Sequence, residues 1–288
     1  MKKIVSLVVA ALVMCSCADS FLSEEPVGEF MPEQVESEEN IEGIVIGAYA
    51  VLDGYYASDA INSGCSNWQF GDVVSDDAYK GGGGTGDQNQ IHLMEIFNAN
   101  PTGIDFEARW AALYEGVKRC NQAIRLLSNS TVKNKEQRLA EMRFLRGHYY
   151  FNLKVIYNLI PWIDETVVDP NEYHTKSNME FTSDQLWEKI LGEFSAAYQV
   201  LPESQSDYGR PTKMAAKAYM AKVYLYQSKW KECLSACDEV IQSGKYTLYP
   251  DFREVFLPEN DNNSEIIFAV QLSINDGASS NQNGSYGD

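Results

Sequence analysis

Apolar positions recur along this chain at intervals of three and four, the spacing that puts them on one face of a helix. The clearest case is Gly209 to Tyr249. Met214, Ala218, Ala221 and Leu225 fall on one stripe, and Trp230, Cys233, Leu234, Cys237, Val240 and Ile241 on a second. Pro211 stands where a first-turn proline is tolerated, Gln227-Ser228-Lys229 interrupts the pattern, and Gly244 follows as a C-terminal cap. The segment therefore reads as two antiparallel helices. The small, aromatic and apolar offsets of Ala221, Tyr224, Cys233, Cys237 and Val240 are those of a degenerate tetratricopeptide repeat.

The same period predicts further helices upstream. Ile41, Ile44, Val45, Ala48, Tyr49 and Leu52 mark one from Ser37 to Leu52. Phe106, Trp110, Leu113, Val117, Cys120, Ile124 and Leu127 sustain a long one, and Leu139, Met142, Leu145, Tyr149, Leu153, Ile156 and Ile160 a second, closed by Pro161. Their short connection at Asn129-Ser130 makes them a hairpin, the unit of an α-solenoid. After a polar crossover from Pro161 to Phe181, Thr182 with Gln185 has the form of a capping box. Leu186, Ile190, Phe194, Ala197 and Leu201 then carry another helix to Pro202. Trp110, Trp187 and Trp230 all lie on stripes and are expected in the core. The fold class is thus all-α dominated, a tetratricopeptide-like α-α superhelix with long loops.

Two stretches break the period. Residues 54–102 form an irregular loop rich in Gly, Asp, Asn and Ser, yet holding Trp68, Phe70 and Tyr79. A loop of that length inside a compact domain is either functional or disordered, and its aromatics argue against simple disorder. Near the end, Ile266, Phe268, Val270, Leu272 and Ile274 alternate with smaller or polar residues, a C-terminal strand signature. No partner strand accompanies it. The expectation is a chain that stops inside a longer protein.

The first residues are separable from all of this. Lys2 and Lys3 precede an apolar run from Ile4 to Met14, too short to cross a bilayer and flanked as a signal peptide is. Met14-Cys15-Ser16-Cys17 resembles a bacterial lipobox, and Cys17, with small Ser16 before it, is the expected lipidation site. The boundaries follow: 1–16 signal peptide, 17–35 lipidated tether, 36–260 helical repeat domain, 261–288 the truncated start of a C-terminal region. Nothing else is apolar enough to span, so the membrane would be reached through the lipid anchor only.

A formal net charge of −18 opposes contact with nucleic acid or anionic lipid. Of six cysteines, Cys65, Cys120, Cys233 and Cys237 remain once Cys15 is removed and Cys17 acylated, and Cys233 and Cys237, one turn apart, suit packing better than a bridge. Neither Cys nor His residues have zinc spacing, and no cofactor motif is present. Gly81-Gly-Gly-Gly-Thr-Gly86 lacks the Lys-Ser or Lys-Thr of a phosphate loop and reads as a flexible lid or insertion. Asp76 and Asp77 are adjacent on one loop, whereas glycoside hydrolysis needs carboxyls facing each other about 5–10 Å apart. The chain therefore does not read as an enzyme.

A series of short motifs resembles the SusD/RagB family of Bacteroidetes surface lipoproteins. It begins with the lipobox-like start, Asp19, Phe21, Leu22 and Pro26, then Glu42-Gly-Ile-Val-Ile-Gly-Ala-Tyr49. It continues through Gly71-Asp72, Asp76-Asp77, Gly86-Asp87-Gln88, Trp110-Ala-Ala-Leu-Tyr114, Arg119-Cys-Asn121, Phe144-Leu-Arg146 and Tyr149-Tyr-Phe151. Gly209-Arg-Pro-Thr-Lys213, Ala221-Lys-Val-Tyr-Leu-Tyr226 and Ile241-Gln-Ser-Gly-Lys-Tyr246 complete it. The resemblance implies a SusD-like helical scaffold at the outer membrane, facing outward. It also implies capture of oligosaccharide for a SusC-like TonB-dependent transporter. Some members handle peptides, as RagB-like proteins do, and a plain protein-protein interaction scaffold is the other alternative. Family members are longer, with a C-terminal region that packs on the repeats.

Family ligand sites use loops in the region of Asn62 to Asn89, and the residue types there suit sugars. Trp68, Phe70 and Tyr79 can stack on a pyranose face, while Asp72, Asp76, Asp77, Lys80, Asp87, Gln88 and Asn89 can bond hydroxyls. The competing reading is that Trp68 and Phe70 anchor the loop and Asp72 caps a turn.

Overall fold

A computed structural model describes residues 38–52, 54 and 68–271. The signal peptide, Cys17 and its tether, Cys65 and the end of the chain lie outside the described residues. Among the described residues eight α-helices follow in order: α1 (Glu38–Tyr49), α2 (Asn89–Glu95), α3 (Ile104–Asn129), α4 (Lys135–Tyr157), α5 (Pro170–Tyr173), α6 (Ser183–Val200), α7 (Lys213–Tyr226) and α8 (Trp230–Gln242). Short 3₁₀ turns at Phe252–Glu254 and Pro258–Asn260 come after them.

The connections dictate the architecture. Five residues join α3 to α4 and three join α7 to α8, so each pair must fold back on itself; α6 packs between them, against α4 and α7, and α1 against α3 and α4. At the centre lies α4. It is enclosed nearly all round, with Met142, Phe144, Leu145, Tyr149, Tyr150 and Leu153 fully buried. Close approach comes from two glycines. A Cβ on Gly116 of α3 would stand 2.5 Å from the Tyr149 ring, and one on Gly147 of α4 would stand 2.9 Å from Phe194. Phe194 and Tyr219 stack at 4.7 Å, and Phe144 meets both edge-on, which locks α4, α6 and α7 together.

Two buried polar clusters cross-link this core. Glu141 of α4 is 0% exposed. It accepts from Tyr49 of α1 at 3.0 Å and from Arg138 and Arg210 at 2.7 Å each, while both arginines also reach Glu42. Arg146, 2% exposed, holds Glu193 of α6 through two bonds of 2.8 and 3.2 Å, Asn121 of α3 at 2.7 Å, and Glu165 of the crossover. All three guanidinium nitrogens of Arg146 thus have an acceptor, the condition under which a buried charge is tolerated.

Helix ends follow the sequence closely. Thr182 accepts from the Gln185 amide while the Gln185 side chain accepts from the Thr182 amide, a complete capping box. Gly244 has φ 65° just past α8. Pro211 lies ahead of the cap residue Thr212, two places before the first helical residue Lys213 where its sequence position suggests it. Trp162 is buried and stacked on Tyr150 at 4.0 Å.

Two expectations fail. Trp187 is buried, but Trp230 is 63% exposed, and Leu225, Leu234 and Ile241 are exposed with it. The reason is that, among the described residues, α8 packs chiefly on α7, burying Ala236 and Val240, and the rest of its apolar stripe points away. The C-terminal strand is also absent among the described residues: 265–271 has no strand. An isolated strand leaves its backbone groups unpaired, and Phe268 instead packs edge-on against Phe144 at 5.0 Å.

Candidate functional site

The segment 68–102 meets the scaffold at the start of α3. Phe70 sets its ring edge-on to Phe106 at 5.5 Å with the Arg109 guanidinium 5.7 Å away, and Val73 is fully buried. Phe70 therefore anchors. The amide of Val73 donates to the Trp68 carbonyl, that of Ser75 to Gly71 and that of Ala78 to Asp72, coiling residues 68–78 into successive turns.

The glycine-rich stretch is wrapped around a lysine. Lys80 is only 8% exposed, and its ammonium donates to the carbonyls of Gly81 at 3.0 Å, Gly84 at 2.9 Å and Asp87 at 2.6 Å. Three donors meet three acceptors with no carboxylate among them. The backbone can turn its carbonyls inward because Gly81, Gly82 and Gly84 take φ values of 69°, 77° and 116°, which side-chain-bearing residues avoid. Asp87 closes the ring by accepting the Gly83 amide at 2.8 Å. A Cβ on Gly82 would lie 2.2 Å from that carboxylate.

These bonds sort the sequence-predicted residues. Lys80, Asp87 and Asn89, which donates to the Thr85 carbonyl at 3.0 Å, are spent on the loop's own shape. Asp77 accepts from Ser75 at 3.2 Å. Asp72, Asp76, Tyr79 and Gln88 are exposed, and their side chains make no hydrogen bond among the described residues. Tyr79 is the most prominent, 70% exposed. Trp68 is half-buried beside the turn it begins.

A residue that the sequence reading missed lies just beyond. After α2, Asn98 donates to the Leu93 carbonyl at 2.8 Å and Phe97 to Met94 at 3.1 Å, the paired bonds of a Schellman cap. The left-handed position of that cap is normally glycine's. Here it is Phe97, at φ 55° and 73% exposed. A bulky residue in that conformation is an outlier costing on the order of 1–3 kcal/mol, and such outliers gather at functional sites. Sequence gave one available signal, an aromatic set among Asn98, Ala99 and Asn100 directly after an apolar run.

Stacked helix pairs carrying a long, aromatic-bearing loop define a tetratricopeptide-like helical-repeat protein. The chain belongs to the SusD-like family: the family described as starch-binding associating with outer membrane matches residues 20–225. It is 23% identical to SusD-like protein P25 of Formosa agariphila over 94% of this chain and 52% of that protein. It is 24% identical to a SusD-like protein of Bacteroides ovatus over 93% and 49%. Among solved structures it resembles surface glycan-binding protein A from Bacteroides thetaiotaomicron in complex with laminarihexaose. That likeness has a TM-score of 0.70 and 30% identity, and covers 81% of this chain and 49% of the other. A laminarin-binding SusD-like protein matches with the same TM-score and 26% identity, over 81% and 51%. The chain spans about half the length of these relatives.

Proposed function

We propose that this chain forms the helical scaffold and loop of a surface lipoprotein, anchored through Cys17, that captures oligosaccharide and hands it to a SusC-like TonB-dependent transporter without cleaving it. The observation that carries the reading is the loop's combination of exposed aromatic rings, Tyr79 and Phe97, with unpaired polar groups at Asp72, Asp76 and Gln88. Aromatic planes pack on the C–H face of a pyranose while carboxylates and amides take its hydroxyls. Family membership and the laminarihexaose complex of a 30% identical structure support the same ligand class. The Lys80 staple supports it from another side, because a loop ordered before binding loses less entropy when ligand arrives.

In this mechanism the repeats stay rigid and provide a docking face for the transporter, and loop 68–102 supplies ligand contacts. Affinity electrophoresis of the full-length protein on a panel including laminarin and starch tests it, together with co-isolation from outer membranes and a product assay on any retained glycan. Retardation without products, alongside a co-purifying barrel, is the expected result. Binding of peptides alone, or release of shorter sugars, would overturn it.

A further inference from the structure

The outward stripe of α3 carries an opening that the loop residues do not line. Trp110, Tyr114 and Lys118, at successive intervals of four, form one wall of a cleft of about 340 Å³, and Pro161, Ile163 and Tyr173 from the crossover form the other. Both walls are fixed. The Tyr114 hydroxyl donates to the Pro161 carbonyl at 2.7 Å, Asn121 donates to the Ile163 carbonyl at 3.0 Å, and Trp110 rests on Tyr157 at 4.9 Å. The space is therefore preformed.

Its rim has groups left to offer. The indole N–H of Trp110 and the hydroxyl of Tyr173 make no hydrogen bond among the described residues. Lys118, half-exposed, has only a 3.9 Å ion pair to Glu115, whose carboxylate is already held by Arg119 at 2.8 Å. Half-buried aromatic planes beside an apolar wall, with donors at the edge, fit the two-faced chemistry of a pyranose. A free anion fits poorly, because the one lysine is matched by Glu115. The volume lies at the low end of the roughly 300–1,000 Å³ of small-molecule clefts, room for one or two sugar units. Position links it to the loop: Phe106, which receives Phe70, stands one turn before Trp110 on α3.

We infer that this cleft is a second carbohydrate subsite, extending the loop site along α3 so that a longer chain engages both. The inference rests on the proposed function. It is tested by calorimetry on the full-length protein with the tri- and hexasaccharides of laminarin and of amylose. Tyr173→Ala and Lys118→Ala are compared with wild type; neither side chain belongs to the core. The expected result is about a fivefold to tenfold weaker hexasaccharide affinity for Tyr173→Ala, a smaller loss for Lys118→Ala, unchanged trisaccharide affinity and an unchanged melting temperature. Equal hexasaccharide affinity in wild type and Tyr173→Ala would overturn the subsite while leaving the proposed function standing. Failure of wild type to bind either series would remove both.

Discussion

The α4 core and the 68–102 loop both bury a cation, and they satisfy it in opposite ways. Arg146 gathers acceptors from α3, α6 and the crossover, partners 19 to 47 residues away in sequence. Lys80 gathers three carbonyls from within seven residues of itself. The first arrangement couples elements, so losing it is felt everywhere. The second shapes one loop and leaves the rest of the molecule indifferent. With that division the loop can change without disturbing the scaffold that presents it.

The largest effect expected from breaking the contrast is at Arg146. Its replacement by alanine strips buried Glu193 of both its short bonds, leaving only a 3.7 Å pair to Arg143, and should cost about 3–5 kcal/mol, read as a lower urea midpoint at constant slope. The pH dependence comes next. Burial, and then the charges of Arg109 and Lys222, lower His148 to about 3, while its ring lies edge-on to Tyr219 and shares a 2.5 Å hydrogen bond with that hydroxyl. An unfolded histidine titrates near ~6.5. The folded form thus takes up protons less readily, and the stability due to this group is complete above pH ~6.5 and lost as pH falls toward 3, by at most about 1.4 kcal/mol per unit. Glu165 behaves alike at lower pH: burial raises it, but Arg146 by charge and hydrogen bond brings it below the usual carboxylate range. Urea midpoints between pH 6.5 and 4.5 should therefore fall in wild type and flatten in His148→Gln.

On the loop the signs change. Phe97→Gly relieves a strained left-handed residue and should raise stability by about 1 kcal/mol while weakening glycan affinity. A variant that lost both stability and affinity would show a packing role instead. The smallest global effect belongs to Lys80→Met. Its melting temperature should stay within about 2 °C of wild type, yet limited proteolysis should cut the 81–87 loop and the amides of Gly83 and Asp87 should exchange faster. A uniform drop in melting temperature without local cleavage would place Lys80 in the core class.

Much of the scaffold was legible because helical period and caps are local signals. Thr182 with Gln185, the stripe from Leu139 to Leu153, and Gly244 all appear where the pattern puts them. Trp230 misled because a stripe on a helix packed chiefly on one neighbour is wider than the face that neighbour covers. The apolar alternation after Glu265 misled because a strand is a property of a pair. In the candidate loop, Phe70 anchors the segment to α3 as the alternative reading held. What composition does not reveal is direction. Lys80 looks like a ligand contact in sequence and turns inward, whereas Phe97 looks like the tail of an apolar run and turns out, because backbone dihedrals decide which way each one faces.

The claim that the loop holds carbohydrate on an independent scaffold is tested most directly by one calorimetric comparison. The full-length protein and its Tyr79→Ala/Phe97→Gly variant are titrated with the hexasaccharide that wild type retains most strongly. Affinity reduced at least about tenfold, with a melting temperature equal to or above that of wild type, is the predicted result; unchanged affinity in the variant would contradict it.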